Sequence, residues 1–215
     1  SGDLGNQEVP ILRSPETLPA VDVLVMESTY GAHFHEDTTT RVAKLRVLIM
    51  RTIAQKGVLL IPAFAIERIQ EILYELDELA EKKMITRVSL FIDSPLAIRA
   101  TEVFRKWPSF YDKEALARIS KGQDLFNFPG LESTLSRDQS RAINDVPAPK
   151  IIIAGAGMMT GGRILHHARR YLRDSNSAIL FVGYQAEHTL GRAILNGADH
   201  VYIYDERVSI RARIE

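Results

Sequence analysis

A carboxylate, Glu27, follows an apolar run containing Val21, Val23 and Val25 and opens a Ser-Thr-Tyr-Gly turn that leads to His33 and His35. The whole stretch reads VDVLVMESTYGAHFHE over Val21–Glu36. A charged side chain at the end of a buried strand must be paired or solvated, so a strand terminus is where a reactive carboxylate can be held. A second acid, Asp3 in SGDLG, stands upstream. Taken alone, Asp3 is an ordinary turn aspartate. Two acids at strand edges, ahead of a long α/β segment, predict one side of an active site.

Further candidates sit where predicted strands end: Glu27-Ser28-Thr29, Pro62-Ala63-Phe64, Asp93-Ser94-Pro95 and the Gly-rich Gly155–Arg163. The last reads GAGMMTGGR and opens a helix, so its backbone N–H groups and the helix dipole could receive a phosphate, with Arg163 as a bidentate donor. A purely structural turn fits the same residues. The segment is not a dinucleotide fingerprint, because no acidic residue follows a next strand at the required offset. Arg68 lies near a helix start, where a cation opposes the macrodipole. It serves either an anion or its own stem packing. His33 and His35 alternate along an extended segment, but one pair without further ligands does not make a tetrahedral zinc site. His166 and His167 share a helix and diverge by about 100°, which predicts one packed inward and one outward. His188 and His200 are isolated and receive no role.

These residues need elements to position them. Apolar spacing predicts helices over Thr39–Gln55 and Ile66–Lys83, and buried strands over Val58–Ala65 and Val88–Ile92. A more polar section, Trp107–Ala148, carries predicted helices at Asp112–Ser120 and Ser136–Asp145 and a short strand near Leu131–Leu135. Strand and helix then alternate: Lys150–Ala154, Gly161–Arg173, Ala178–Gly183 and Thr189–Asn196, followed by strands at Val201–Tyr204 and Val208–Ile214. Near-continuous apolar strands between helices predict a doubly wound, mainly parallel sheet covered on both faces, an α/β fold.

Composition narrows the class. The 215 residues are 46% hydrophobic and 25% charged, ordinary for a globular protein with a sizeable core. Lys plus Arg and Asp plus Glu both number 27, so any anion-binding surface must be local. The chain has no Cys, which excludes disulfides and thiolate metal sites and fits a reducing, cytoplasmic compartment. Its apolar runs are too short to span a bilayer. Ser1-Gly2-Asp3 is neither a signal peptide nor a Met start, which predicts a processed or excised piece.

Taken together, SGDLG, ESTYGAHFHE, PAFAIERIQEIL, DSPLA and AGAGMMTGGRILHH resemble, in this order, the β-CASP branch of the metallo-β-lactamase superfamily. The resemblance covers nearly the whole chain and is strongest to RNA-processing nucleases of the pre-mRNA 3′-end cleavage type. It implies a β-CASP domain over residues 37–204, flanked by strips of a truncated metallo-β-lactamase αββα domain at 1–36 and 205–215. It implies Asp3 as a carboxylate bridging two zinc ions, and Glu27 as the acid orienting a catalytic histidine. More softly, it implies Ser28, Thr29, Arg68, Ser94, Thr160, Gly161, Gly162 and Arg163 along a cleft for RNA phosphates.

The family's H-x-H-x-D-H motif, its other zinc-binding histidines and the histidine partner of Glu27 are missing from the chain. The expectation is therefore a lid over the metal centre of a zinc-dependent ribonuclease, acting on single-stranded RNA, with a second copy of the chain in a homodimer as the other partner to test. The piece itself is expected to bind no dinuclear zinc and to be inactive. Two alternatives stay open: a non-catalytic binding or dimerisation module, and an unrelated nucleotide-binding α/β domain using Gly155–Arg163.

Overall fold

The computed structural model describes residues 2–7, 9–31 and 40–215. The order after the N-terminal segment is α1 (Arg41–Ala54), β1 (Val58–Pro62), α2 (Arg68–Glu81), β2 (Ser89–Asp93), α3 (Pro95–Lys106) and α4 (Lys113–Ser120). It continues with β3 (Leu131–Ser133), α5 (Arg137–Ala142), β4 (Lys150–Ala154), α6 (Arg163–Tyr171), β5 (Ala178–Ile179) and α7 (Leu190–Leu195). A hairpin of β6 (His200–Ile203) and β7 (Glu206–Ser209) precedes the short β8 (Arg213–Ile214). The main sheet has six parallel strands in the order β3-β2-β4-β1-β5-β8.

Period-two alternation splits the core into two layers, as expected for a sheet buried on both faces. Leu59, Ile61, Leu90, Ile92, Ile151 and Ile153 pack with α1, α2, α3 and α4 on one face. Val58, Leu60, Phe91, Ile152 and Ile179 pack with α6, α7 and the hairpin on the other. The doubly wound α/β architecture read from the sequence is therefore the observed one. Among the central strands, β1 and β2 hand the chain to helices on the first face, whereas β4 hands it to α6 on the second. Crevices consequently open beside β4 at the carboxyl ends of the strands, the place where open α/β sheets bind ligands.

Several boundaries differ from the sequence reading for identifiable reasons. Val21–Val25 forms no strand: Val23 is 80% exposed, and no strand of the described chain runs beside the segment. β-branched residues favour strands only when a neighbouring ladder and a surface to cover are present. Val208–Ile214 is not one strand but two pieces. Between them Arg211 and Ala212 both donate backbone N–H bonds to the Leu172 carbonyl, carrying the chain from the hairpin to the edge of the main sheet. The sequence reading also missed α3. Ser94 caps it by accepting from the Ala97 N–H at 3.3 Å, and Pro95 occupies its first turn.

Glu67, between β1 and α2, carries local strain. Its φ of 67° and ψ of −64°, with the Arg68 N–H donating to the Ile66 carbonyl at 2.9 Å, define a classic γ-turn. A residue with a Cβ is disfavoured there. Glu67→Gly is expected to raise unfolding stability by about 1 kcal/mol. Urea denaturation showing no gain, or a loss, would remove the strain argument.

Candidate functional site

The carboxyl edge of the sheet is organised around Asp93, the last residue of β2, which is 0% exposed. Its Oδ1 accepts from the Thr134 hydroxyl at 2.5 Å and from Arg163 Nη1 at 2.7 Å. Its Oδ2 accepts from the Ser140 hydroxyl at 2.6 Å and faces His167 Nε2 at 2.7 Å. Burial alone would push this carboxyl up, but the bonds from His167, Ser140, Thr134 and Arg163 outweigh it and bring its pKa down to about 2. The cluster closes the crevice between β2 and β4.

Arg163 is largely committed to this work. Besides Asp93 it donates to the carbonyls of Thr134 at 2.9 Å and Leu135 at 2.8 Å, and its side chain is 18% exposed. Its guanidinium thus binds the loop before α5 to the start of α6. The Gly155–Arg163 loop is partly closed on itself: the N–H groups of Ala156, Met159, Ile164 and Leu165 donate to loop carbonyls. Gly162, at φ 78°, admits no side chain, since a Cβ would lie 2.4 Å from the Gly155 carbonyl. The N–H groups of Thr160, Gly161 and Gly162 find no acceptor among the described residues. They stand at the N-terminus of α6, where an anion is favoured.

The second crevice, between β4 and β1, holds Phe64. A Cβ on Gly157 would sit 2.9 Å from the Phe64 ring and backbone, so the glycine is what lets the two strand exits close together. Gln185 Nε2 lies 3.0 Å from the Gly157 carbonyl and 3.0 Å from that of Gly183, tying the loop after β5 to the same place. That loop also receives the Glu27 turn. The Tyr184 N–H donates to Tyr30 Oη at 3.0 Å, and the two rings meet edge to face with centroids 5.8 Å apart. Glu27 itself accepts from the Thr29 N–H at 2.9 Å, which holds its carboxyl below the usual range. Ser28 and Thr29 are exposed beside it.

Of the remaining candidates, Ser94 is spent as the cap of α3, and Asp3 is exposed at the chain's start. His33 and His35 lie outside the described residues. His166 and His167 divide as the 100° rule requires: His167 is buried against Asp93 and His166 is exposed. Among the described residues no group of three His, Cys, Asp or Glu side chains could hold a metal ion. The described residues therefore do not by themselves fit a dinuclear metal centre.

Arg68 stands at the start of α2 and donates to Glu71 Oε2 at 2.5 Å. Burial pushes Glu71 up to about 7 despite the opposing charge of Arg68, and its Oε1 has no partner. Its neighbour Glu75 is also buried and raised, with Arg41 Nε 2.5 Å away. The sequence marked Asp93 only as part of the Asp93-Ser94-Pro95 strand exit, without a role of its own, and gave neither glutamate a part in the site. Their signal, an acid within an apolar stripe, becomes legible only once the partners are known.

The sequence matches a known family. A Beta-Casp domain model matches residues 69–194, more than half of the chain, and the chain belongs to that family. Ribonuclease TTHA0252 of Thermus thermophilus is 37% identical over 214 residues, covering 100% of this chain and 49% of the relative. Transcription termination factor FttA of Thermococcus kodakarensis is 34% identical over 191 residues, covering 87% of this chain and 29% of that protein. The FttA of Methanothermobacter thermautotrophicus is 30% identical over 215 residues, covering 98% and 34%. The chain thus spans about half the length of the ribonuclease and about a third of the termination factors.

Of the buried acids, Asp93 and Glu71 predict opposite pH dependences. Asp93 is depressed from 3.8 to about 2, so the stability it contributes is present above pH 3.8 and is lost as pH falls through 2. The amount is roughly 2 kcal/mol. Glu71 is raised from 4.5 to about 7, so stability is full below pH 4.5 and declines as pH rises through 7, by roughly 3 kcal/mol. Glu71→Gln is expected to flatten the upper window, and Asp93→Asn to abolish the lower one. Asp93→Asn should also cost about 3 kcal/mol at pH 7 by leaving Arg163 without its counter-charge. Urea titrations from pH 2 to 8 read both; wild-type profiles in the variants would refute the assignments.

Proposed function

We propose that this chain forms the RNA-facing wall of a metal-dependent ribonuclease, with the carboxyl edge of its sheet lining the cleft through which single-stranded RNA passes. The observation that carries the reading is the convergence of the Glu27 turn, Phe64 and the Gly155–Arg163 loop at one edge, with Tyr30 and Tyr184 as the clamp. The likeness to a protein named as a ribonuclease supports RNA as the substrate. In this reading Glu27 orients a general acid that protonates the leaving oxygen. The free N–H groups of Thr160, Gly161 and Gly162 take a phosphate, with Ser28 and Thr29 as further donors. Arg163 and Ser94 act indirectly, by holding the Gly-rich loop and α3 in place. Arg68 neutralises a passing phosphate while remaining close to Glu71.

Zinc, which the resemblance implies, would supply the activated water and draw its ligands from residues other than the cluster described here, with Asp3 as this chain's contribution. Contacts to phosphate rather than base edges predict low sequence preference. The cytoplasm suits a chain without Cys. No helix among the described residues is long and apolar enough to cross a membrane. A homodimer is compatible with the reading but is not required by it.

The test is cleavage of a labelled single-stranded RNA by the full-length gene product with zinc supplied. Wild type is expected to cleave, and Glu27→Ala to reduce the rate by about 100-fold or more with unchanged thermal stability. If purified wild type leaves RNA intact yet binds it or dimerises, the non-catalytic module is the correct reading.

A further inference from the structure

Arg192 of α7 is tied to both the Gly-rich loop and the Glu27 turn. The Gly191 N–H donates to the Met158 carbonyl at 3.2 Å, which seats the start of α7 on the Gly155–Arg163 loop. The next residue, Arg192, lays its guanidinium over the Tyr184 ring, with Cζ 5.5 Å from the centroid. Tyr184 in turn meets Tyr30 edge to face and donates its N–H to the Tyr30 Oη, three residues beyond Glu27. A cation therefore flanks the aromatic clamp at the carboxyl edge of the sheet.

This guanidinium has bonding capacity to spare. Arg163 gives its donors to Asp93 and to two carbonyls, and Arg68 is held by Glu71. Among the described residues Arg192 Nε is buried without a hydrogen-bond partner, while 25% of the side chain stays exposed. Its ion-pair partner, Glu187 Oε1, lies 3.9 Å from that Nε and is 74% exposed, a long surface pair worth little in water. A desolvated N–H without an acceptor carries a cost that an incoming oxygen removes. Packing against Tyr184 meanwhile restrains the side chain, so little freedom is lost when a ligand engages its fork. The arrangement suits paired anionic oxygens bound through two parallel bonds, which a phosphodiester supplies.

We propose that Arg192 binds a backbone phosphate of the RNA beside the Tyr30–Tyr184 clamp, with Glu187 as the counter-charge that the phosphate displaces. This contact rests on the ribonuclease reading and supplies it with a cation that the Asp93 cluster has not engaged. A phosphate is common to every nucleotide, so the contact adds affinity without reading sequence. Held against a ring, the guanidinium acts as a fixed charge.

The test uses the full-length gene product and fluorescence anisotropy of a labelled oligouridylate, with EDTA present to keep the strand intact. Arg192→Gln is expected to weaken binding about 10-fold and to lower the slope of log affinity against log salt by about 0.7. Arg192→Lys should keep the wild-type slope but recover only part of the affinity, because a point charge cannot form the paired bonds. Glu187→Gln should tighten binding by about 2-fold. Glu187 is an exposed residue, so this variant keeps the test decisive if Arg192→Gln fails to fold: a gain in affinity supports the contact, and no gain refutes it.

A guanidinium that only props the Tyr184 ring gives a different pattern: an unchanged salt slope and a lowered thermal midpoint in Arg192→Gln, with no gain from Glu187→Gln. That pattern overturns the proposal. Wild type that binds no RNA removes both this contact and the RNA-facing wall. Wild type that binds and, with zinc, cleaves RNA while Arg192→Gln keeps the wild-type slope removes this contact alone.

Discussion

A charge with no access to water must have its partners built around it, and Asp93 imposes that requirement on the whole carboxyl edge of the sheet. Moving an ionised carboxylate into a dry interior costs several kcal/mol unless hydrogen bonds replace its hydration. Here they come from the loop after β3, from α5 and from two positions on α6. Each donor is useless to Asp93 unless its element arrives at the right height, so satisfying the charge fixes where α5 and α6 begin relative to β2. The Gly-rich loop inherits this precision because it ends at Arg163. Charge-assisted bonds are directional, which apolar packing beneath them is not. The apolar layers hold the sheet together; Asp93 sets its upper edge.

The crevice beside β1 is closed by different means. There the chain uses steric fit, with Phe64 lying against a glycine that cannot be anything larger, and an amide, Gln185, that bridges neighbouring carbonyls. The Glu27 turn is held through Tyr30 and Tyr184 and not through a sheet ladder. That contact ties the segment, whose preceding apolar residues are exposed, to the far side of the sheet's edge. Through it the turn that carries Glu27 meets a loop that follows Tyr30 by 154 residues in sequence.

Much of this architecture was legible without coordinates. β1, β2 and β4 read as buried strands because each is apolar at nearly every position, and α1 and α2 because their apolar residues recur at helical spacing. The split of His166 from His167 followed from helix geometry alone. Errors arose where the deciding partner is distant in sequence. Val21–Val25 has strand-type residues but no ladder among the described residues, and Ser94-Pro95 was read as a strand exit although it also begins α3. Arg163 looked like an anion ligand because its partner, Asp93, is 70 positions away. A lone arginine at a helix start cannot reveal which carboxylate has already engaged it.

That engagement changes how the edge can act on an anion. With Arg163 occupied, positive potential at the mouth of α6 comes mainly from backbone N–H groups, which are fixed in direction and carry partial charge. Such donors hold a phosphate in place without the tight grip of a free guanidinium, and they leave the base unread. If RNA passes along this edge, as proposed, it has to be released as readily as it is bound, and fixed dipoles suit that better than a mobile cation. The strained backbone at Glu67 and Tyr204 belongs to the same logic. Glu67, half-buried before α2, and Tyr204, exposed in the turn of the β6–β7 hairpin, both lie between regular elements, and in both the backbone conformation disfavours the side chain that is present. The fold tolerates the cost because the two buried core layers beneath are independent of either turn.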